Sequence, residues 1–162
     1  RARFADMAGR IEPNRFHDAG YTATLRDMIA RVITAEAPIR DDLLVERIAR
    51  AHGFRRSGRV IRDRVMTLAR AVTHAEQEPG GATFLWPDIA AAAAWERARY
   101  PATVEDVRAL EDIALPELGA ALRACPGDDA EGAAARAFGI RRLSATGRER
   151  LRRATPATGH LR

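Results

Sequence analysis

The stretch from 36 to 72, EAPIRDDLLVERIARAHGFRRSGRVIRDRVMTLARAV, constrains this chain more than any other. Pro38 lacks an amide proton and collides with the turn before it, so a preceding helix stops there. Asp41 or Asp42 is placed to cap a new helix, and a carboxylate at that end also suits the helix dipole. Leu43, Leu44, Ile48 and Ala51 recur at helical spacing and give that helix one apolar face. Gly53 is placed to end it, in the left-handed conformation that glycine adopts without steric cost. Ser57 is expected to cap a second helix. There Ile61, Val65, Leu68 and Val72 form one stripe, while Arg59, Asp63, Met66 and Arg70 face the other way. Two helices joined at a glycine, the second with an arginine-rich outer face, make the pattern of a helix-turn-helix.

The flanking sequence extends this pair. Thr22 or Thr24 is expected to cap a helix reaching about Ala35, with Leu25, Met28, Ile29, Val32 and Ile33 on one face. After Val72 the period changes. Residues 73–76 and 82–86 flank Gln77–Glu78–Pro79–Gly80–Gly81, and Phe84, Leu85 and Trp86 favour strand. Three helices followed by a β-hairpin is the order of a winged helix. The hairpin carries Glu76 and Glu78 and no arginine, so a wing that packs is expected rather than one that touches phosphate. Upstream, Phe4, Met7, Ile11 and Phe16 are loosely helical in spacing and interrupted by Pro13 and Gly20. Downstream, 90–99 has helix propensity up to Pro101, with Trp95 and Tyr100 as aromatic anchors, and Thr103 is read as starting a short helix through Leu110.

The glycine turn is echoed. Gly139–Ile140–Arg141–Arg142 repeats Gly53–Phe54–Arg55–Arg56 at an offset of 139 − 53 = 86. At that offset Ala49–Arg50–Ala51 meets Ala135–Arg136–Ala137, Asp42 meets Asp128, and Arg62–Asp63–Arg64–Val65 meets Arg148–Glu149–Arg150–Leu151. Residues 116–124, with Leu118, Ala121 and Leu122, take the place of the first helix, and the loop after them is read as about three residues shorter. The expected fold class is mainly α with a small β-hairpin: a winged-helix-like unit, duplicated as a second, wingless helix-turn-helix-like unit. The expected organisation is a linker or docking segment over 1–20, the winged-helix-like unit over 21–87, a connector over 88–114, the second unit over 115–155 and a fraying tail over 156–162.

Composition narrows the partners. The net charge is +5, and all 27 basic residues are arginine. Arginine makes bidentate contacts to phosphate and to guanine, although a GC-rich genome produces the same bias through its codons. Cys125 is the only cysteine, which excludes an intrachain disulfide and fits a reducing cytoplasm. No apolar run approaches the length of a membrane span. The chain begins at Arg1 with no signal-peptide pattern and is read as a piece of a longer polypeptide.

Motifs that carry chemistry are scarce. Neither common phosphate-binding glycine loop is present. His17, His52, His74 and His160 have no cysteine or carboxylate at ligand spacing, so no metal is expected. His52 precedes the turn glycine and is read as a helix C-terminal residue rather than a base. Of the acidic pairs Asp41–Asp42, Glu111–Asp112 and Asp128–Asp129, two precede helices, where capping accounts for them. Catalysis in this segment has little support, and no cofactor is expected. The candidate site is basic instead. Arg55, Arg56, Arg59 and Arg62 surround the start of the third helix, with Arg70 further along it. Arg141, Arg142 and Arg148 repeat the cluster, with Arg150, Arg152 and Arg153 nearby. In a helix-turn-helix that end enters the major groove and flanking residues reach phosphates. The competing reading is a solvated face paired with Asp63, Glu46 or Asp42.

The string Ile29–x–x–Val32–Ile33–x–x–Glu36–Ala37–Pro38–Ile39, then Glu46–Arg47–Ile48–Ala49–Arg50–Ala51–x–Gly53, then Arg56–x–Gly58–x–x–Ile61, resembles the uncharacterised C-terminal domain of large bacterial superfamily 1 helicase-related proteins. The matching signature covers about 21–86, and a weaker likeness runs through Asp112–Ile113 and Glu117 to Gly139. In those proteins the domain follows a helicase core and a restriction-endonuclease-like domain. The resemblance implies a cytoplasmic, DNA-handling parent in defence or repair. It brings no catalytic residues, because the helicase and nuclease motifs would lie upstream. The expectation is a non-catalytic DNA-binding accessory domain that touches phosphates through arginines of the third helix. The alternative is a protein-interaction or dimerisation module, docked on the upstream domains or on a second copy as a homodimer. A third, weaker reading is a nuclease accessory that senses a DNA end.

Overall fold

Leu25, Met28, Ile29, Val32 and Ile33 fall on one face of helix α1 (Thr22–Glu36), and all five are buried. The computed structural model describes residues 1–155, so the tail expected over 156–162 lies outside the described residues. The chain divides into two compact units, one from Arg1 to Ala93 and one from Ala94 onward. Its described residues are mainly helical, with one small antiparallel sheet of three strands.

In the first unit α1 closes with Ala37 N–H donating to Ile33 O at 3.0 Å. The chain then passes through Pro38 into strand β1 (Ile39–Arg40). Helix α2 (Asp41–Ala51) buries Leu44, Val45, Ile48 and Ala49. Its start differs from the expected cap. Arg40 holds the cap position without a side-chain capping bond, its guanidinium donating instead to the Asp42 carboxylate, and Asp41 and Asp42 lie inside the first turn, where their charges meet the helix dipole. Helix α3 (Arg59–Arg70) is preceded by Gly58, not Ser57, and has no side-chain cap. Val65, Met66 and Ala69 are buried on α3. Met66 therefore turns inward against expectation. It lies about 100° around the helix from Val65, within the width of a core-facing stripe. Val72 lies beyond the helix end and is 53% exposed.

Strands β2 (His74–Gln77) and β3 (Thr83–Trp86) form the expected hairpin, with His74 opposite Trp86 and Gln77 opposite Thr83. β1 pairs on the other edge of β3, Ile39 opposite Leu85, giving the order β1-β3-β2. Ile39 and Leu85 carry the sheet into the core shared by the three helices. The segment 1–20 lies against that same core through buried Met7 and Phe16. A short helix α4 (Ile89–Ala93) ends the unit.

The second unit packs α5 (Leu115–Ala124), α6 (Ala130–Ala137) and α7 (Ala145–Ala154) around Leu110, Ile113, Leu118, Ala134, Phe138 and Leu151. The helix expected over 90–99 stops at Ala93. From there the chain runs irregularly, because the Arg99 amide and guanidinium are drawn to Glu117 on α5. The short helix expected from Thr103 shrinks to a single 3-10 turn, Val104–Asp106, where Thr103 Oγ1 donates to Asp106 Oδ2 at 2.9 Å. The loop between α5 and α6 is not shorter than its counterpart. It runs over 125–129, against 37–40 in the first unit, and the shortening falls in α6, which has 8 residues where α2 has 11. Among the described residues no helix is long and apolar enough to cross a membrane.

Candidate nucleic-acid interface

Both turns are built by the same hydrogen bonds, 86 residues apart. Gly53 N–H donates to Arg50 O and Gly139 N–H to Arg136 O, each at 2.9 Å. Phe54 N–H reaches back to Ala49 O at 3.0 Å, and Ile140 N–H to Ala135 O at 2.9 Å. Gly53 has φ 74° and Gly139 φ 81°, the left-handed geometry that closes a helix in this way. Gly58 and Ser144 then take extended backbone, and the third helices begin at Arg59 and Ala145. The side chains that follow each glycine are therefore presented by one local structure, used twice.

The eight arginines singled out by sequence do not act as one group. Arg55 and Arg56 are exposed in the first turn, and Arg141 and Arg142 in the second. Arg59 is 92% exposed at the side chain and only loosely paired with Asp63, at 3.6 Å. Arg62 is bound across to α2, with Nη2 donating to Asp41 Oδ2 at 2.7 Å. Its counterpart Arg148 is bound across to α6, with Nη1 donating to Glu131 Oε2 at 2.8 Å. Arg70 sits at the far end of α3, roughly 16 Å from Arg59 at the rise of an α-helix. The structure thus gathers Arg55, Arg56 and Arg59 at the start of α3 and Arg141 and Arg142 before α7. A phosphate would have to compete with a carboxylate for Arg62 or Arg148.

The remaining arginines of the third helices serve the fold. Arg64 Nη2 donates to Asp18 O at 2.6 Å. Arg150, its counterpart, donates from Nε to Leu110 O at 2.7 Å and from Nη2 to Ile113 O at 2.5 Å. Each holds carbonyls of the chain that leads into the first helix of its unit. Arg152 bonds Glu131 at 3.1 Å, and Arg153 pairs with Glu149 at 3.5 Å. Glu131 is held below the usual carboxylate range: burial opposes this, and hydrogen bonds from Arg148 and Arg152 outweigh it.

The two helix starts differ in one respect that matters for anions. Ser144 Oγ accepts the Gly147 amide at 3.0 Å and satisfies the first turn of α7. Gly58 has no side chain to do this, so the first amides of α3 stay open beside Arg55, Arg56 and Arg59. Open amides at the positive end of a helix dipole add to the pull of those arginines on a phosphate.

Two further groups carry partners that make them structural. His52 is buried. Its Nδ1 meets Ile48 O at 2.7 Å, so Nδ1 carries the proton and Nε2 accepts from the Tyr21 hydroxyl at 2.9 Å. Burial pushes its pKa down, against the bond to Ile48, which keeps the ring neutral. Glu117 is fully buried and bound by both Arg99 and Arg108, each at 2.7 Å at its closest. Sequence reasoning misses this clamp, because its members are 9 and 18 residues apart and on no common element. Among the described residues no cluster of His, Cys, Asp or Glu could hold a metal ion.

No curated protein and no solved structure matches this chain. Residues 14–63 match the family described as "Protein of unknown function (DUF3320)", a span that holds α1, α2, the first glycine turn and the opening of α3.

Proposed function

We propose that this chain is a non-catalytic DNA-binding accessory domain of a bacterial, cytoplasmic helicase- or nuclease-type protein. Its first unit is read as a winged helix, with α3 as the helix that approaches DNA. The element order α1-β1-α2-α3-β2-β3 and the pairing of β1 with β3 support that reading. The observation that carries it is the exposed arginine pair that recurs after both turn glycines, Arg55–Arg56 and Arg141–Arg142, with no ion pair among the described residues. Contact would be mainly electrostatic and to phosphate. The test is duplex binding by fluorescence anisotropy across a salt series. Binding should weaken steeply with salt. Arg55→Ala with Arg56→Ala should lower the slope of log affinity against log salt by about 2, one for each phosphate no longer neutralised. Absence of binding at low salt overturns the proposal.

A protein-docking role is the second reading, and one observation favours it. Val60, on the first turn of α3, is 66% exposed, and the hairpin of the same unit carries Glu76 and Glu78. A salt-insensitive dimer in light scattering, lost in Val60→Glu, would support that reading over DNA contact.

A further inference from the structure

Helix α3 packs on α1 and α2, with Val65, Met66 and Ala69 buried, and leaves its outer face exposed. The exposed residues are Arg59, Val60, Asp63, Thr67 and Arg70. At the pitch of an α-helix they fall within about 100° of one another and form one stripe. Thr67 spends its hydroxyl on Asp63 O at 2.8 Å, and Arg70 sits at the far end. Arg59, Val60 and Asp63 therefore face outward at the end of the helix where Arg55 and Arg56 stand exposed.

Phosphate contact alone does not account for this trio. A phosphate repels the Asp63 carboxylate, and exposed Val60 offers it no hydrogen bond. The major groove has a partner for each residue. Guanine presents two acceptors, O6 and N7, to a guanidinium. Cytosine presents an amino donor to a carboxylate, and thymine a methyl group to an apolar side chain. Asp63 lies 3.6 Å from Arg59, near enough to steer the guanidinium yet beyond hydrogen-bond length, so Arg59 keeps its donors for a ligand.

The second unit lacks the set. At the offset of 86, Arg59 and Val60 are replaced by Ala145 and Thr146. Asp63 is replaced by Glu149, which pairs with Arg153 at 3.5 Å. The exposed arginine pair after the turn glycine thus recurs in both units, and the trio occurs once.

We infer that α3 reads base sequence in the major groove, with Arg59 on the O6 and N7 of a guanine, Asp63 on the amino group of a cytosine and Val60 on the methyl group of a thymine. The inference rests on the reading of this chain as a DNA-binding domain and adds sequence selection to phosphate contact. One helical turn separates Arg59 from Asp63, so the base pairs they read are neighbours. The second unit supplies phosphate contact without selection.

The probe is a duplex library randomised over about ten base pairs, one turn of DNA, selected with the full chain and sequenced. The recovered duplexes should share a G·C pair, and replacing that pair by A·T should weaken binding about tenfold, equivalent to about 1.4 kcal/mol. Arg59→Ala should bind the two duplexes alike. Asp63→Ala should bind unselected duplex more tightly, because a repelling charge is gone, and should lose the preference at the neighbouring pair. All three side chains are exposed, so these variants leave the core untouched. Recovered duplexes with no shared sequence, or a shared sequence that both variants still select, would overturn this inference and leave the phosphate reading standing. No binding of any duplex at low salt would overturn both.

Discussion

Arg64 in the first unit and Arg150 in the second hold the carbonyls of the chain entering their own first helix, from the same place on the third helix. Val65 and Leu151, one residue on, are both fully buried. Yet the two units complete their cores by different means. The first adds a three-stranded sheet and the segment carrying Met7 and Phe16. The second has no strand among its described residues and instead ties its irregular entry segment to α5 through the buried Glu117. A glycine turn with its two helices is thus a portable local structure. What differs is how each copy covers the rest of its apolar surface, and that choice decides which perturbation each unit will feel.

The largest difference should come from Glu117. Glu117→Ala leaves Arg99 and Arg108 without their buried partner, a change that costs about 3–5 kcal/mol in comparable sites. Residue-resolved hydrogen exchange should then show α5–α7 losing protection while α1–α3 keep theirs. Equal loss in both units would break the comparison, because it would mean that they do not hold their cores independently.

A smaller and more local contrast lies in the two turn glycines. Gly53→Ala and Gly139→Ala both force a side chain into left-handed backbone, at about 1–2 kcal/mol. Only Gly139→Ala also drives its Cβ against Val107, and overpacking of that kind adds about 1–3 kcal/mol. Thermal unfolding should therefore rank Gly139→Ala as the more destabilising. The opposite order would argue that Val107 does not cover the second turn.

These contrasts mark how far the sequence could be read. α1, α2, α3 and the hairpin were legible because each is written locally, by an apolar period or by glycine and proline. Gly53 and Gly139 were legible for the same reason. β1 was not, because two residues carry no alternating pattern and become a strand only by pairing with β3. The alanines around 90–93 suggested a longer helix, and the distant Glu117 overrode that propensity. In the candidate site Arg55 and Arg56 were visible beside the turn. That Arg62, Arg148 and Arg150 are already engaged was not, since their partners lie 21, 17 and 37–40 residues away.

Acid should separate the units in sequence. His52 has its pKa lowered from 6.5 by burial, so the unfolded first unit binds the extra proton more readily than the folded one. The stability it contributes is complete above 6.5 and declines as pH falls below that value. Glu117 is lowered from 4.5: burial opposes the shift, and Arg108 and Arg99 outweigh it. Its contribution is complete above 4.5 and is lost only as pH falls further. Hydrogen exchange at pH 7.5 and at pH 5 should show the first unit weakening near His52 while α5 is unchanged. Weakening of α5 over that interval would contradict the assignment of Glu117.

The smallest effect tests the difference between the helix starts. Ser144→Ala removes the cap of α7 and should cost about 1 kcal/mol. Gly58→Ser supplies the missing cap to α3 and should gain a few tenths of a kcal/mol. The backbone at Gly58, φ −64° and ψ 168°, is open to any residue, and a Cβ there meets nothing within 4 Å. Urea midpoints measure both changes. If Gly58→Ser stabilises the chain yet weakens its hold on DNA, the open amides of α3 are contacting phosphate, because the new hydroxyl satisfies the fold and withdraws the donors from the ligand. If it stabilises without touching DNA affinity, the phosphate contact rests on Arg55 and Arg56 alone.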